Sequence, residues 1–250
     1  MLFGRPFKTR ITMLVTKEVE YEDGDTVCKG FIAYHSSVSK PLPCVMVAHD
    51  WGGRGEGVCN KAIQLAGMGY IGFAIDMYGN AKLGKDKVEK RALMTPFREN
   101  RGKLITRINA AFSKVVQLPE VDSDKVAAIG YCFGGLCVLD LIRSGAPLRG
   151  VVSFHGVLLP LEGESNKPLH AKVLILHGYD DPLVPIEQVN QFAIEMTERK
   201  VDWQVHVYGQ TAHSFTDPNA NDDEMGLHYN KLADQRSWQS TQLFLQDLFA

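Results

Sequence analysis

The 250-residue sequence is poor in cysteine: Cys28, Cys44, Cys59, Cys132 and Cys137 form no C-x-x-C pair and leave one over. That excludes a disulfide framework and points to a reducing compartment. No apolar run approaches the roughly 20 residues that a membrane helix requires. Lys and Arg number 27 against 29 Asp and Glu, for a formal net charge of −2, and no basic stripe with interleaved aromatics is present. Neither a membrane nor nucleic acid is therefore an expected partner. The first ten residues, Met1 to Arg10, lack the apolar core of a secretory signal. Together these absences predict a cytoplasmic location. Internal repeats, low-complexity blocks and long linkers are also missing. The expectation is one α/β domain over residues 1–250, with ample chain to bury a core.

What is present is an alternation. Two early segments, Ile11–Tyr21 and Val27–His35, read as a strand pair turning at Glu22-Asp-Gly-Asp25, where Asp-Gly is a hairpin signal. Apolar strand-like runs follow at Cys44–Ala48, Tyr70–Ile75, Val126–Gly130, Gly150–Phe154, Val173–Leu176 and Trp203–Tyr208. Helical stretches are expected at Gly57–Met68, Lys87–Leu118, Gly134–Arg143, Glu187–Arg199 and Tyr229–Phe249. Fully apolar strands between amphipathic helices predict a mostly parallel sheet covered on both faces. Ligands of such sheets bind beyond the carboxyl ends of the strands. Here those ends carry polar groups: His49-Asp50-Trp51, Asp76-Met77-Tyr78, Tyr131-Cys132, His155, His177 through Asp181, and His213.

Gly130-Tyr131-Cys132-Phe133-Gly134-Gly135 stands between an apolar strand-like run and an apolar helical one. That is the setting of a nucleophile elbow, G-x-S-x-G, with cysteine in the serine position. The glycines allow the sharp turn, and the central side chain then sits at a helix N-terminus, where free N–H groups stabilise an anion. A thiolate benefits from that placement. The competing reading is a glycine-rich packing turn with a structural cysteine. Downstream come an acid and then a histidine, each just past a strand. Asp181, with Asp180 as its neighbour, and His213 complete the order nucleophile, acid, base of an α/β-hydrolase triad. Asp181-Pro182 alone is also turn chemistry, and His213 alone a loop histidine. Acyl transfer further needs two N–H donors for the developing oxyanion. The backbone of Phe133 supplies one and the loop after Cys44–Ala48, at Trp51, the other. Asp50 lies in that loop and is expected to face the nucleophile.

These motifs resemble the dienelactone hydrolase family of α/β hydrolases. The resemblance rests on His49-Asp-Trp-Gly-Gly53, Asp76-Met-Tyr-Gly79, Gly130-Tyr-Cys-Phe-Gly-Gly135, His177-Gly-Tyr-Asp-Asp-Pro-Leu-Val-Pro185 and His213-Ser-Phe215. It implies the α/β-hydrolase fold, with Cys132 as nucleophile, His213 as base and Asp181, rather than Asp180, as acid. It also implies the amides of Trp51 and Phe133 as oxyanion donors, and Asp50 as a carboxylate beside the thiol. The enzyme that names the family holds its substrate's carboxylate with two arginines. The corresponding places here hold Asn80 and Asp217, and Asp217 would repel an anion. Arg54, Lys82 and Lys85 are the candidate replacement cations.

The expected function is therefore cysteine-dependent hydrolysis of small carboxylic esters or lactones, by a monomer or weak dimer without a cofactor or metal. Two rivals remain. His49, His155 and His177 all end strands and are candidate zinc ligands. An exposed thiol at a helix N-terminus also suits a redox-sensing or non-catalytic thiol protein. Residues 217–227, rich in Asn, Asp and Pro, read as a loop bordering the pocket. Trp51, Met94 and Phe97 are candidates to line it.

Overall fold

A computed structural model describes residues 13–36, 40–161 and 168–250. The opening decapeptide and the first two residues of the expected strand at Ile11–Tyr21 lie outside the described residues. Among those described, an eight-stranded sheet runs in the order β1-β2-β4-β3-β5-β6-β7-β8. The strands are β1 (Leu14–Asp23), β2 (Thr26–His35), β3 (Leu42–Ala48), β4 (Ile71–Ala74), β5 (Val121–Tyr131), β6 (Gly150–Phe154), β7 (Lys172–Gly178) and β8 (Trp203–Tyr208). β1 and β2 form the expected antiparallel pair, β2 joins β4 antiparallel, and every later neighbour is parallel.

The helices are α1 (Glu56–Gly67), α2 (Lys87–Arg98), α3 (Arg101–Val115), α4 (Phe133–Arg143), α5 (Ile186–Glu198) and α6 (Lys231–Phe249). They cover both faces. Along β3, Cys44, Met46 and Ala48 point into a core shared with α3, α4 and α5. Val45 and Val47 point the other way, into a core that holds Leu65 of α1 and Phe244 and Leu245 of α6. Alternation of side chains along a strand puts an apolar residue on each face at every step, which is why the strand reads as a continuous apolar run. The doubly covered parallel sheet of an α/β-hydrolase fold is thus the one expected.

One expectation is corrected. The helical stretch Lys87–Leu118 is two helices, broken at Glu99 and Asn100. The Asn100 side chain accepts the amide of Lys103 at 2.9 Å, so it caps a new helix and ends the old one. Asp86 caps α2 in the same way, accepting the amides of Val88 and Glu89, both at 2.8 Å. Residues 217–227 also gain order: Asn221–Asp222 (β9) pairs antiparallel with Leu227–His228 (β10). No helix among the described residues is long and apolar enough to cross a membrane.

Candidate active site

Cys132 lies between the end of β5 and the start of α4, with φ 53° and ψ −114°. Such a backbone is costly for a residue with a Cβ and persists only where its surroundings enforce it. Here the Cys132 amide donates to Phe154 O at 3.0 Å, and Gly135 N donates to Cys132 O at 3.0 Å. The flanking glycines are needed for space. A Cβ on Gly134 would collide with the backbone of Ala48 and His49, and one on Gly130 with the backbone of Gly134 and Gly135. The turn is thereby pressed against β3, whose loop continues into Trp51.

Asp181 and His213 meet as their order in the chain suggests. His213 Nδ1 lies 2.7 Å from Asp181 Oδ2, and both side chains are buried. Asp181 Oδ1 accepts the amides of Leu183 at 2.9 Å and Val184 at 3.0 Å, which orients the carboxylate. Asp180, by contrast, is exposed. The loop carrying His213 is clamped from the far side: His213 N donates to Gly226 O at 3.2 Å and His228 N to His213 O at 3.0 Å. His213 Nε2 is buried and makes no hydrogen bond of ordinary geometry, yet the Cys132 sulfur is close enough to act on it electrostatically. Burial works against a charged His213, but the charge of Cys132 and the hydrogen bond to Asp181 outweigh it and push its pKa up to about 10.

Cys132, His213, Trp51 and Phe133 line one cavity of about 370 Å³. Among the described residues neither the Trp51 nor the Phe133 amide has an acceptor, so both are free for a ligand. Tyr78 positions the first of them. Its hydroxyl donates to Trp51 O at 3.0 Å, and its ring stacks on Phe133 with centroids 6.0 Å apart. Asp76 holds Tyr78 in turn: its carboxylate accepts the amides of Tyr78, Gly79, Ala81 and Lys29.

The remaining candidates divide. Asp50 accepts the Gly52 amide at 2.6 Å and borders a neighbouring cavity rather than the one holding Cys132. Asp217 borders that neighbouring cavity too, and Asn80 neither. Arg54 pairs with Glu18 at 2.6 Å, and neither Lys82 nor Lys85 lines either cavity. His49 is held by two backbone groups, with Nδ1 2.5 Å from Asp50 O and Nε2 accepting the Met77 amide at 3.2 Å. His49, His155 and His177 do not converge on one point, and no three metal-ligating side chains do among the described residues. Trp51 and Met94 line the cavity that holds Cys132, whereas Phe97 is packed against Tyr78 and Phe133.

Sequence reasoning missed Arg91 and Arg98. They stand two turns apart on α2, line the cavity that holds Cys132 and make no ion pair among the described residues. Among the described residues no carboxylate lines that cavity. Its roof comes from α2 on one side and from Met225 and Leu227 of the β9–β10 segment on the other. Lys87 bridges the two through Asp222 and, at 3.8 Å, Glu224.

The profile of the dienelactone hydrolase family matches residues 29–249. A solved dienelactone hydrolase-like promiscuous phosphotriesterase from metagenomic libraries is 38% identical, with TM-score 0.90 over 95% of this chain and 99% of that one. An uncharacterised Caenorhabditis elegans protein is 39% identical over 155 residues, 61% of this chain and 98% of its own. A carboxymethylenebutenolidase homologue of Xenopus tropicalis is 27% identical over 184 residues, 72% of each chain.

Proposed function

The chain belongs to the dienelactone hydrolase family, and from that premise we propose that it is a cysteine-dependent hydrolase of small carboxylic esters or lactones acting through Cys132, His213 and Asp181. The observation that carries the reading is the buried Asp181–His213 contact at 2.7 Å, whose imidazole shares a cavity with Cys132 and two unengaged amides. A redox-sensing thiol has no use for that set.

Each step follows from these groups. The Cys132 sulfur attacks the carbonyl carbon as a thiolate. A C–S bond forms, and the carbonyl electron pair moves to oxygen, where the Trp51 and Phe133 amides hold it. His213, kept in one orientation by Asp181, gives its proton to the leaving oxygen as the C–O bond breaks. Water then loses a proton to His213 and attacks the thioester carbon, and the C–S bond breaks to return the thiolate. A thiolate leaves more readily than most alkoxides, so activated esters and enol lactones suit the site better than amides. Asp50 serves the oxyanion loop through the Gly52 amide. Arg91 and Arg98 give the acyl side two positive charges, so acyl groups ending in a carboxylate fit alongside neutral ones.

The test is turnover of p-nitrophenyl acetate, an enol lactone and a hemisuccinate ester by the wild-type protein and by Cys132→Ala. The expected result is turnover in the wild type and a loss of at least about a thousandfold in the variant, the order seen when a nucleophile is removed. Undiminished turnover by folded Cys132→Ala protein would rule the mechanism out. A second reading, turnover of phosphotriesters, draws on the likeness to the 38%-identical phosphotriesterase; a paraoxon assay with the same two proteins decides it.

A further inference from the structure

A second cavity, of about 430 Å³, adjoins the catalytic one, and Ser214 lines both. Its walls are the glycine-rich loop at 50–57, the segment 214–219, and Lys61 of α1 facing Asp234 of α6. Room is kept by the lack of side chains. A Cβ on Gly57 would meet nothing within 4 Å, and one on Gly55 only a Leu83 methyl at 3.7 Å.

Two residues bordering this cavity each carry a buried polar atom that the described residues leave unpaired. His155 is 3% exposed. Its Nε2 lies 2.8 Å from Thr216 Oγ1, but its Nδ1 has no partner among the described residues. The Tyr131 hydroxyl is likewise buried without one. Both residues border the cavity. Unsatisfied buried polar atoms are rare in native proteins and call for a ligand or ordered water. A third group is partly dehydrated: burial pushes the Lys61 ammonium down to about 8, with Nζ 4.0 Å above the Trp238 ring.

The signs of charge decide what fits. Asp50, Asp217 and Asp234 line the cavity, so an anion meets three carboxylates. Lys61 and Lys90 line it too, and the first amides of α1 open there without a capping side chain, so a cation meets two ammonium groups and a positive helix end. A hydroxyl both donates and accepts, and can pair with either kind of wall. The position decides which part of a substrate enters. Of the two cavities, Trp51 and Phe133, the residues whose amides are to hold the oxyanion, border only the one with Cys132, which places the carbonyl and its acyl group there. Past His213, Ser214 leads into the second cavity.

We infer that this second cavity is a leaving-group subsite and takes a neutral, polyhydroxylated alcohol. The inference rests on the hydrolase reading above. When the ester C–O bond breaks, the alcohol oxygen takes its proton from His213 and the alcohol departs through this cavity.

The experiment compares kcat/KM for four butyrates with leaving groups ethanol, glycerol, choline and glycerol phosphate, in wild type and Lys61→Met. The wild type is expected to favour the glyceryl ester over the ethyl ester by about tenfold, the effect of one to two ordinary hydrogen bonds. Lys61→Met, which keeps the alkyl stem on Trp238, is expected to bring that ratio toward one. Equal rates for glyceryl and ethyl esters, preference for choline or glycerol phosphate, or an unchanged ratio in Lys61→Met would each overturn the inference. Failure of all four esters would overturn the hydrolase reading instead. The cavity is then decided by saturation-transfer NMR of glyceryl butyrate on Cys132→Ala protein. Saturation centred on the glycerol protons, and lost when Lys61→Met is added, supports the subsite; saturation confined to the butyryl protons overturns it.

Discussion

At His213 two opposed pressures act on one proton. Burial alone would leave the imidazole neutral, as it does for His155, whose pKa burial and the charge of His213 drive well below the ordinary histidine value. At His213 the charge of Cys132 and the bond to Asp181 reverse the outcome and raise the pKa from 6.5 to about 10. Following the imidazole by NMR should show wild-type His213 titrating near 10 and lower in Cys132→Ala; the same pKa in both would mean that Cys132 does not act on the imidazole. The sign for stability follows. A pKa raised on folding stabilises the native state fully below about 6.5, and that contribution fades as pH rises through about 10. Cys132, Asp181 and His213 were legible because each ends a strand and their chain order is diagnostic. Arg91 and Arg98 were not: charged residues two turns apart on a polar helix look like any solvated face, and both are exposed; only the placement of α2 beside the elbow brings them to the rim of the cavity.

Elements matter where one holds another in place. The loop after β3 is held at Trp51 from outside: the Tyr78 hydroxyl donates to Trp51 O from the loop after β4. Tyr78→Phe removes that single bond and leaves the ring stacked on Phe133. The expected effect is a fall in kcat of about fivefold, the size of one net hydrogen bond, with KM little changed. A rise in KM at constant kcat would show instead that Tyr78 shapes binding. The strand and helix pattern was readable from apolar periodicity, but the break between α2 and α3 was not. Phe97 and Leu104, seven residues apart, keep one apolar face across the polar stretch between them, and what ends the helix is a local bond in which the Asn100 side chain accepts the Lys103 amide, which periodicity does not register.

Across the whole molecule, the helices on the α3–α4–α5 face are tied by buried charge. Asp140 of α4 is fully buried, accepting from Arg101 of α3 and lying 3.2 Å from Arg143. Arg143 reaches Glu195 of α5 at 2.6 Å. Removing Asp140 leaves Arg101 without its carboxylate and Arg143 with Glu195 alone, so Asp140→Ala should lower unfolding free energy by about 3 kcal/mol in urea titration. A loss below 1 kcal/mol would mean that water reaches the arginines. The catalytic roof is held quite differently. Its two halves, from α2 and from the β9–β10 segment, lie far apart in the chain and are joined by Lys87 at the surface. Exposed ion pairs weaken as salt rises, whereas buried ones hold. The fold is therefore indifferent to the ionic strength of its medium over a range in which the mouth of the site is not, and ions that never enter the cavity set how freely a bulky ester does.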